Sequence, residues 1–182
     1  MPVGIVKFAG YRQYEKVRVE ASNAIMGLLA GAQMAAHMLQ LTRGSDRLLP
    51  EIFPDIPHIR RFNLTTTAAR DILAAGDVHL GAMAVPYALA IHEDYLKTCL
   101  LLLQRGGVRL TKPPDEFKLF NQHEEIERAT GQSFNGATLQ QLHTLRLMRN
   151  CTIHEGGRAN SALINHLASL TIDAESGWVN LA

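Results

Sequence analysis

Apolar residues that recur at three- and four-residue steps over long segments constrain this chain more than any other feature. From Tyr14 to about Leu41, the residues Tyr14, Val17, Ala21, Ile25, Leu28, Ala32, Ala35 and Leu39 fall on one side of a helix. The many Ala and Gly residues of this segment let a neighbouring helix approach closely, and Gly44 is placed to end it. A second stripe, Ala88, Leu89, His92, Tyr95, Leu96, Cys99, Leu100 and Leu103, predicts another helix, closed by Gly106-Gly107. No alternating strand–helix pattern and no GxxxxGK phosphate loop occurs.

The segments between and after these stripes extend the helical pattern. Pro50, Pro54 and Pro57 make residues 48–63 an irregular connection. Thr65-Thr66-Thr67 can cap a helix that reaches Ala74 or beyond, because a threonine oxygen accepts from the free amides of a first turn. Gly76 and Gly81 weaken its continuation, and Pro86 fits the first turn of the next helix or a kink. Asp115 to about Ala129 reads as a more polar helix, and residues 131–136 as a turn. Thr138, with Gln141 three residues on, has a capping-box pattern and starts a helix running to about His154. Ala159 to Leu170 predicts one more helix, with Leu163, Leu167 and Leu170 on one side. Trp178-Val179-Asn180-Leu181 suits a short strand or a segment docked on the core, and the abrupt apolar end fits a piece of a longer protein. The expectation is an all-α bundle of about five to six helices in one domain, 1–182.

Composition narrows the setting. With 47% hydrophobic and 19% charged residues, the chain can bury a substantial core and is not of a disordered type. A net charge of +1 argues against a uniformly basic nucleic-acid coat but leaves room for a local basic cleft. Cys99 and Cys151 are the only cysteines, too few for a disulfide framework or a four-cysteine zinc site. The first ten residues have one lysine and no long apolar run, so no signal peptide is read there. The longest near-apolar stretch, residues 81–91, is too short for a bilayer. The expected setting is soluble, reducing and cytoplasmic, away from membranes.

Chemistry concentrates in Arg149-Asn150-Cys151-Thr152-Ile153-His154, just before Gly156-Gly157. A fixed cation, an amide that can orient a neighbour and a group that titrates near neutrality are what cleavage of RNA without a metal requires. With 13 Arg and 8 His in 182 residues, about 0.6 such Arg–His spacings arise by chance; requiring Asn directly after the Arg lowers this to about 0.03. Asn150 and His154 are four apart and share a helix face. Arg149 and His154 are turned about 140° from each other on an ideal helix, so one chain alone does not bring them together and a second copy can complete the site. His154 falls in the last turn, where unpaired carbonyls favour an imidazolium, which suits a general acid or phosphate clamp. In a purely structural reading, His154 meets only those carbonyls and Arg149 pairs with an acid such as Glu93 or Glu155.

The Arg149-Asn150-x-x-x-His154 pattern resembles the R-N-x-x-x-H motif of the HEPN superfamily (higher eukaryotes and prokaryotes nucleotide-binding domains). Residues 145–157 resemble the end of its motif helix, and residues 91–101, His92-Glu93-Asp94 followed by an apolar-lysine stretch, resemble its central helix. The resemblance covers mainly residues 86–105 and 139–157. It implies an all-α, usually dimeric domain and a metal-independent endoribonuclease of a toxin–antitoxin or antiviral defence system. Arg149 and His154 would be its catalytic pair, oriented by Asn150. The substrate's 2′-hydroxyl would attack, giving a 2′,3′-cyclic phosphate, with no cofactor and no metal. RNA, a second copy of the chain, and an antitoxin or other defence-system protein are the implied partners. Other members are non-catalytic modules that bind RNA or proteins.

Further candidates each have a bland alternative. His92 is an auxiliary site residue or a satisfied core histidine. Glu93 reaches Arg149 or forms an ordinary helix ion pair with Lys97. Arg146 and Arg158 widen a positive RNA-binding cleft or are solvated surface. Arg43, Arg47, Arg60 and Arg61 form a phosphate-steering patch or a plain surface. Cys151 is reactive or a packing residue, the second being favoured. His37, His58, His79, His123, His143 and His166 show no metal-ligand spacing with each other.

Overall fold

A computed structural model describes residues 8–61 and 63–170. The chain forms α1 (Ala9–Gln40), α2 (Leu49–Ile52), a 3-10 turn (Ile59–Arg61), α3 (Thr66–Ala74), α4 (Gly76–Arg105), a second 3-10 turn (Pro114–Glu116), α5 (Leu119–Thr130), α6 (Gly136–His154) and α7 (Ser161–Ser169). The architecture is all-α, as the periodicity predicts; extended pairing among the described residues is a single bridge between Leu48 and Thr65. The segment Trp178-Val179-Asn180-Leu181 lies outside the described residues. Two compact units divide the chain, one of residues 12–84 and one that joins the residues up to Tyr11 to those from Val85 onward.

In the unit of residues 12–84, Leu39, Leu49 and Ala69 form the core, with Ile52, Phe53, Ile59, Leu64 and Leu73 packed against it. The predicted α1 stripe is the inward face: Ala21 and Leu39 are buried, and Tyr14, Val17, Ile25, Ala32 and Ala35 are half-buried. Leu28 is the exception at 62% exposure, and nothing in the structure explains it. Gly44 adopts φ 87°, the left-handed conformation expected past a helix end. Arg70 reaches the end of α1, donating to the Leu39 carbonyl at 3.4 Å and to Thr42 Oγ1 at 3.1 Å. The Leu39 carbonyl also accepts from the Thr42 amide at 3.1 Å and the Thr42 hydroxyl at 2.7 Å, so the helix end is closed locally and Arg70 ties α3 to it. Thr65 caps α3 by accepting from the Ala68 amide at 3.3 Å. Thr66, fully buried, donates to the Ser45 carbonyl at 3.0 Å. Two of the four surface arginines are committed locally, Arg47 to Glu51 at 3.0 Å and Arg60 to the Pro54 carbonyl.

In the other unit, Leu89, Leu96 and Leu119 form one cluster, against which Val85, Tyr95, Ile126, Leu142 and Leu145 pack. Leu147, Cys151 and Leu163 form a second. Pro86 does not open a helix; it sits inside α4, the mid-helix place of the kink alternative. Its missing N–H leaves the Ala82 carbonyl without a helical partner at a cost of about 3 kcal/mol, which burial of Leu89, Leu96 and Leu100 further along α4 offsets. The polar helix begins at Leu119, not Asp115, because Pro113-Pro114 and the following residues form a 3-10 turn that delivers Phe117 into the interior. Helix α6 begins at Gly136, two residues before Thr138: the cap is Asn135, a stronger cap than Thr, which accepts the Thr138 amide at 3.1 Å and places Thr138 inside the first turn. On α7 only Leu163 of the three expected leucines is buried; Leu167 is 45% exposed, and His166 lies inward in its place.

The loop before α5 is held by a buried carboxylate. Glu125 accepts from the Thr111 amide at 2.8 Å and the Thr111 hydroxyl at 2.9 Å, and pairs with Arg128 at 2.6 Å. Arg128 also donates to the Arg109 carbonyl at 2.8 Å, so one ion pair fixes both ends of residues 109–111. These donors, the Arg128 hydrogen bond foremost, hold the Glu125 carboxyl down at about 2. Glu125→Gln should therefore lower the unfolding free energy by about 2–3 kcal/mol in urea denaturation at pH 7. An unchanged midpoint would show that the loop does not depend on this carboxylate.

Candidate functional site

Helix α6 has three working faces, set by its 3.6-residue period. Thr144, Leu147 and Cys151 are buried on one, where Leu147 and Cys151 meet Leu163 of α7. Leu142 and Leu145 pack on the Leu89, Leu96 and Leu119 cluster on a second. Arg149 continues the line of Leu142 and Leu145 at three- and four-residue steps. His143, Arg146, Asn150 and His154 follow one another at the same steps on the third face, within about 80° of rotation. Cys151 is 3% exposed, which is the packing role.

The helix stops directly after His154. The Cys151 carbonyl accepts from the amides of both Glu155 and Gly157 at 3.0 Å. Gly156 at φ 60° and Gly157 at φ 82° turn the chain through the left-handed region that residues with a Cβ avoid. His154 is thus exposed on the last turn.

Arg149 is half-buried, and its Nε is buried without an acceptor. That fits its place in line with Leu142 and Leu145, and among the described residues no carboxylate pairs with the guanidinium. Among the described residues, no hydrogen bond or ion pair joins Arg149, Asn150 and His154 to one another. Glu93 pairs with Lys97 at 3.4 Å, the ordinary helix pair, and not with Arg149. Arg158 is exposed beyond the glycine turn. Arg146 is half-buried and donates to His143 Nδ1 at 3.1 Å, and its Nε is also buried without an acceptor.

The structure also assembles four histidines that sequence spacing does not connect, one from each of α4, α5, α6 and α7. His92 Nε2 and His123 Nε2 are 3.1 Å apart, with their rings stacked at 5.2 Å. His143 and His166 meet edge to face at 4.5 Å. Their partners fix the protons. The Leu119 carbonyl can only accept, so His123 Nδ1, at 3.1 Å, carries hydrogen. Neutral His123 then accepts at Nε2, and His92 donates from Nε2. Thr144 donates its hydroxyl hydrogen to the Gln140 carbonyl, so His166 Nε2 donates to Thr144 at 2.9 Å. Arg146 can only donate, so His143 accepts at Nδ1 and carries its own hydrogen at Nε2.

The two bonds accepted by His123 Nε2 and His143 Nδ1 require those rings to be neutral, and the electrostatics agree. Burial, then the neighbouring His123, lowers His92 to about 4. Burial lowers His123, against the upward pull of the Leu119 carbonyl and Glu127. Burial, Arg146 and His166 lower His143. His92 is half-buried and paired with His123, and among the described residues no hydrogen bond or ion pair joins it to Arg149, Asn150 or His154. Among the described residues, no group of three His, Cys, Asp or Glu side chains is placed to hold a metal ion, and no single helix is long and apolar enough to cross a membrane. No family model, no curated protein and no solved structure matches the chain.

The paired histidines predict acid sensitivity with a defined sign. Each takes up a proton near 6.5 when unfolded but only at lower pH when folded, so the unfolded state holds more protons in between. The stabilisation is full above pH 6.5 and is lost as pH falls through about 4. The Glu125 carboxylate, ordinarily titrating at 4.5 and here at about 2, acts below that window. Unfolding free energy measured between pH 7 and 4.5 should fall, and His92→Gln, which keeps a donor for His123, should make the slope shallower. An identical slope in the variant would exclude the pair as its source.

Proposed function

We propose that this chain is a HEPN-like, metal-independent endoribonuclease, cytoplasmic, acting in a defence or toxin–antitoxin system. The observation that carries the reading is the state of Arg149: a half-buried guanidinium, held by its position along α6 and paired with no carboxylate among the described residues, five residues before an exposed histidine. A cation kept at a fixed place without a counter-charge suits an anionic ligand.

In this mechanism the RNA 2′-hydroxyl oxygen attacks the adjacent phosphorus, its proton passing to solvent, and the bond from phosphorus to the 5′-oxygen breaks. Arg149 stabilises the charge that builds on the non-bridging oxygens. His154 donates a proton to the departing 5′-oxygen. The products are a 2′,3′-cyclic phosphate and a 5′-hydroxyl, and DNA, which lacks the nucleophile, resists. Asn150, four residues before His154 on the same face, orients the imidazole. Because Arg149 and His154 lie on different faces of α6, the working pair comes from two copies in a homodimer, and an antitoxin or other defence-system protein would control it.

A non-catalytic HEPN-like module for RNA or protein binding is the second reading. The lack of any bond joining Arg149, Asn150 and His154 within one chain favours it.

Cleavage of labelled RNA in EDTA should fall by about 100-fold or more in His154→Ala and in Arg149→Ala. Equal activity in the wild type and both variants would end the catalytic assignment.

A further inference from the structure

Helix α1 carries a second seam on its outward side. Between Glu20 and Arg43 the chain has no Asp, Glu, Lys or Arg. The buried residues Ala21 and Leu39 mark the inward side of α1. About 180° round the helix from them, Val19, Asn23, Met26, Ala30, Met34 and His37 follow one another at three- and four-residue steps, and Leu41 continues the line in the turn after the helix. All of these are exposed, Met26 at 62%, Met34 at 69% and Leu41 at 85%. Beside them, Gly27 and Gly31 have nothing within 4 Å of the place where a Cβ would stand. A helix without a charged outer face belongs in an interior. The unit of residues 12–84 is also of the size at which one core needs outside support, and its buried apolar residues are Ala21, Leu39, Leu49 and Ala69.

We propose that this seam packs α1 antiparallel against the α1 of a second copy of the chain, with Ala30 on the two-fold axis. The order of its residues selects a second copy. Met26 and Met34 lie four residues to either side of Ala30, Asn23 and His37 seven, and Val19 and Leu41 eleven. A two-fold axis at Ala30 therefore sets Met26 against the partner's Met34, Asn23 against the partner's His37, and Val19 against the partner's Leu41, each pair twice. Charge agrees with this direction. Lys16 and Glu20 of one copy reach the end of the pair where the other copy has Arg43 and Asp46, all of them exposed, so opposite charges meet at both ends. A parallel pairing would set like charge beside like charge. Asn23 and the partner's His37 can hydrogen-bond across the seam, and a polar pair within an apolar seam fixes its register. Ala30 and Gly27 let the helices approach to about 8 Å, and the methionines fill the gaps beside them. The seam shares no residue with α6, and it does not rest on the cleavage reading.

Light scattering and oxidative cross-linking of the full chain test the seam. Ala30→Glu puts two carboxylates at the axis and should halve the mass of the assembly at micromolar concentration. Ala24→Glu, exposed about 120° round α1 from Ala30, should leave the mass unchanged. A mixture of Met26→Cys and Met34→Cys chains should form a disulfide-linked pair that neither variant forms alone, and that the wild type, with Cys99 and Cys151, does not form. An unchanged circular dichroism spectrum reports that Ala30→Glu is folded; if it is not, the cross-link decides. A wild type that is a single chain in solution, a mass unaltered in folded Ala30→Glu, no link in the mixture, or a link between two Met26→Cys chains would overturn the proposal. So would a single chain that sediments with vesicles of phosphatidylcholine and phosphatidylglycerol and loses this in Ala30→Glu, which assigns the face to a lipid surface. RNA cleavage without the cross-link removes the seam alone, and the cross-link without RNA cleavage removes the cleavage reading alone.

Discussion

The 3.6-residue period of α6 governs how its side chains are distributed. Leu147 and Cys151 commit one side of the helix to α7, and Leu142 and Leu145 commit another to the α4–α5 cluster. Once those faces are buried, the remaining positions have no freedom. Arg149 must follow Leu142 and Leu145, and His143, Arg146, Asn150 and His154 must share what is left. The separation of Arg149 from His154 is set by their five-residue spacing, about 140° around the helix, and core packing decides which way each of them faces.

Neutral imidazoles shape the interior beside that helix. Four helices each supply one histidine; the Leu119 carbonyl fixes the proton on His123 and Arg146 fixes that on His143, and those on His92 and His166 follow from the already committed groups beside them. The arrangement tolerates no added proton on His123 Nε2 or His143 Nδ1 without losing a hydrogen bond. Burial keeps His92, His123 and His143 uncharged, and Arg146 and Arg149 place fixed positive charges on two faces of α6. The basic character of this helix is consequently local, as the chain's net charge of +1 requires.

Local features were legible in the sequence where one short-range interaction decides them. The α1 stripe, the Thr65 cap and the glycines after α1, α4 and α6 all act within a few residues. Helix starts were less legible: the turn at Pro113-Pro114 moves the start of α5 to Leu119, and Asn135, itself a short-range cap, takes the start of α6 from Thr138. The histidine pairs were invisible for a different reason: His92 and His123 are 31 residues apart, and no periodicity joins them. Placing Arg149, Asn150 and His154 on one helix was possible from spacing alone. Their lack of mutual bonds, and the burial of the Arg149 Nε, needed the neighbouring helices.

The central claim is that the working pair joins Arg149 of one copy to His154 of another. Co-expressed Arg149→Ala and His154→Ala chains test it most directly. Random pairing makes half of the dimers mixed, and each mixed dimer holds one intact pair. The account predicts recovery of about one quarter of wild-type RNA cleavage from two chains that are each inactive alone. An active wild type with no recovery in the mixture would contradict it.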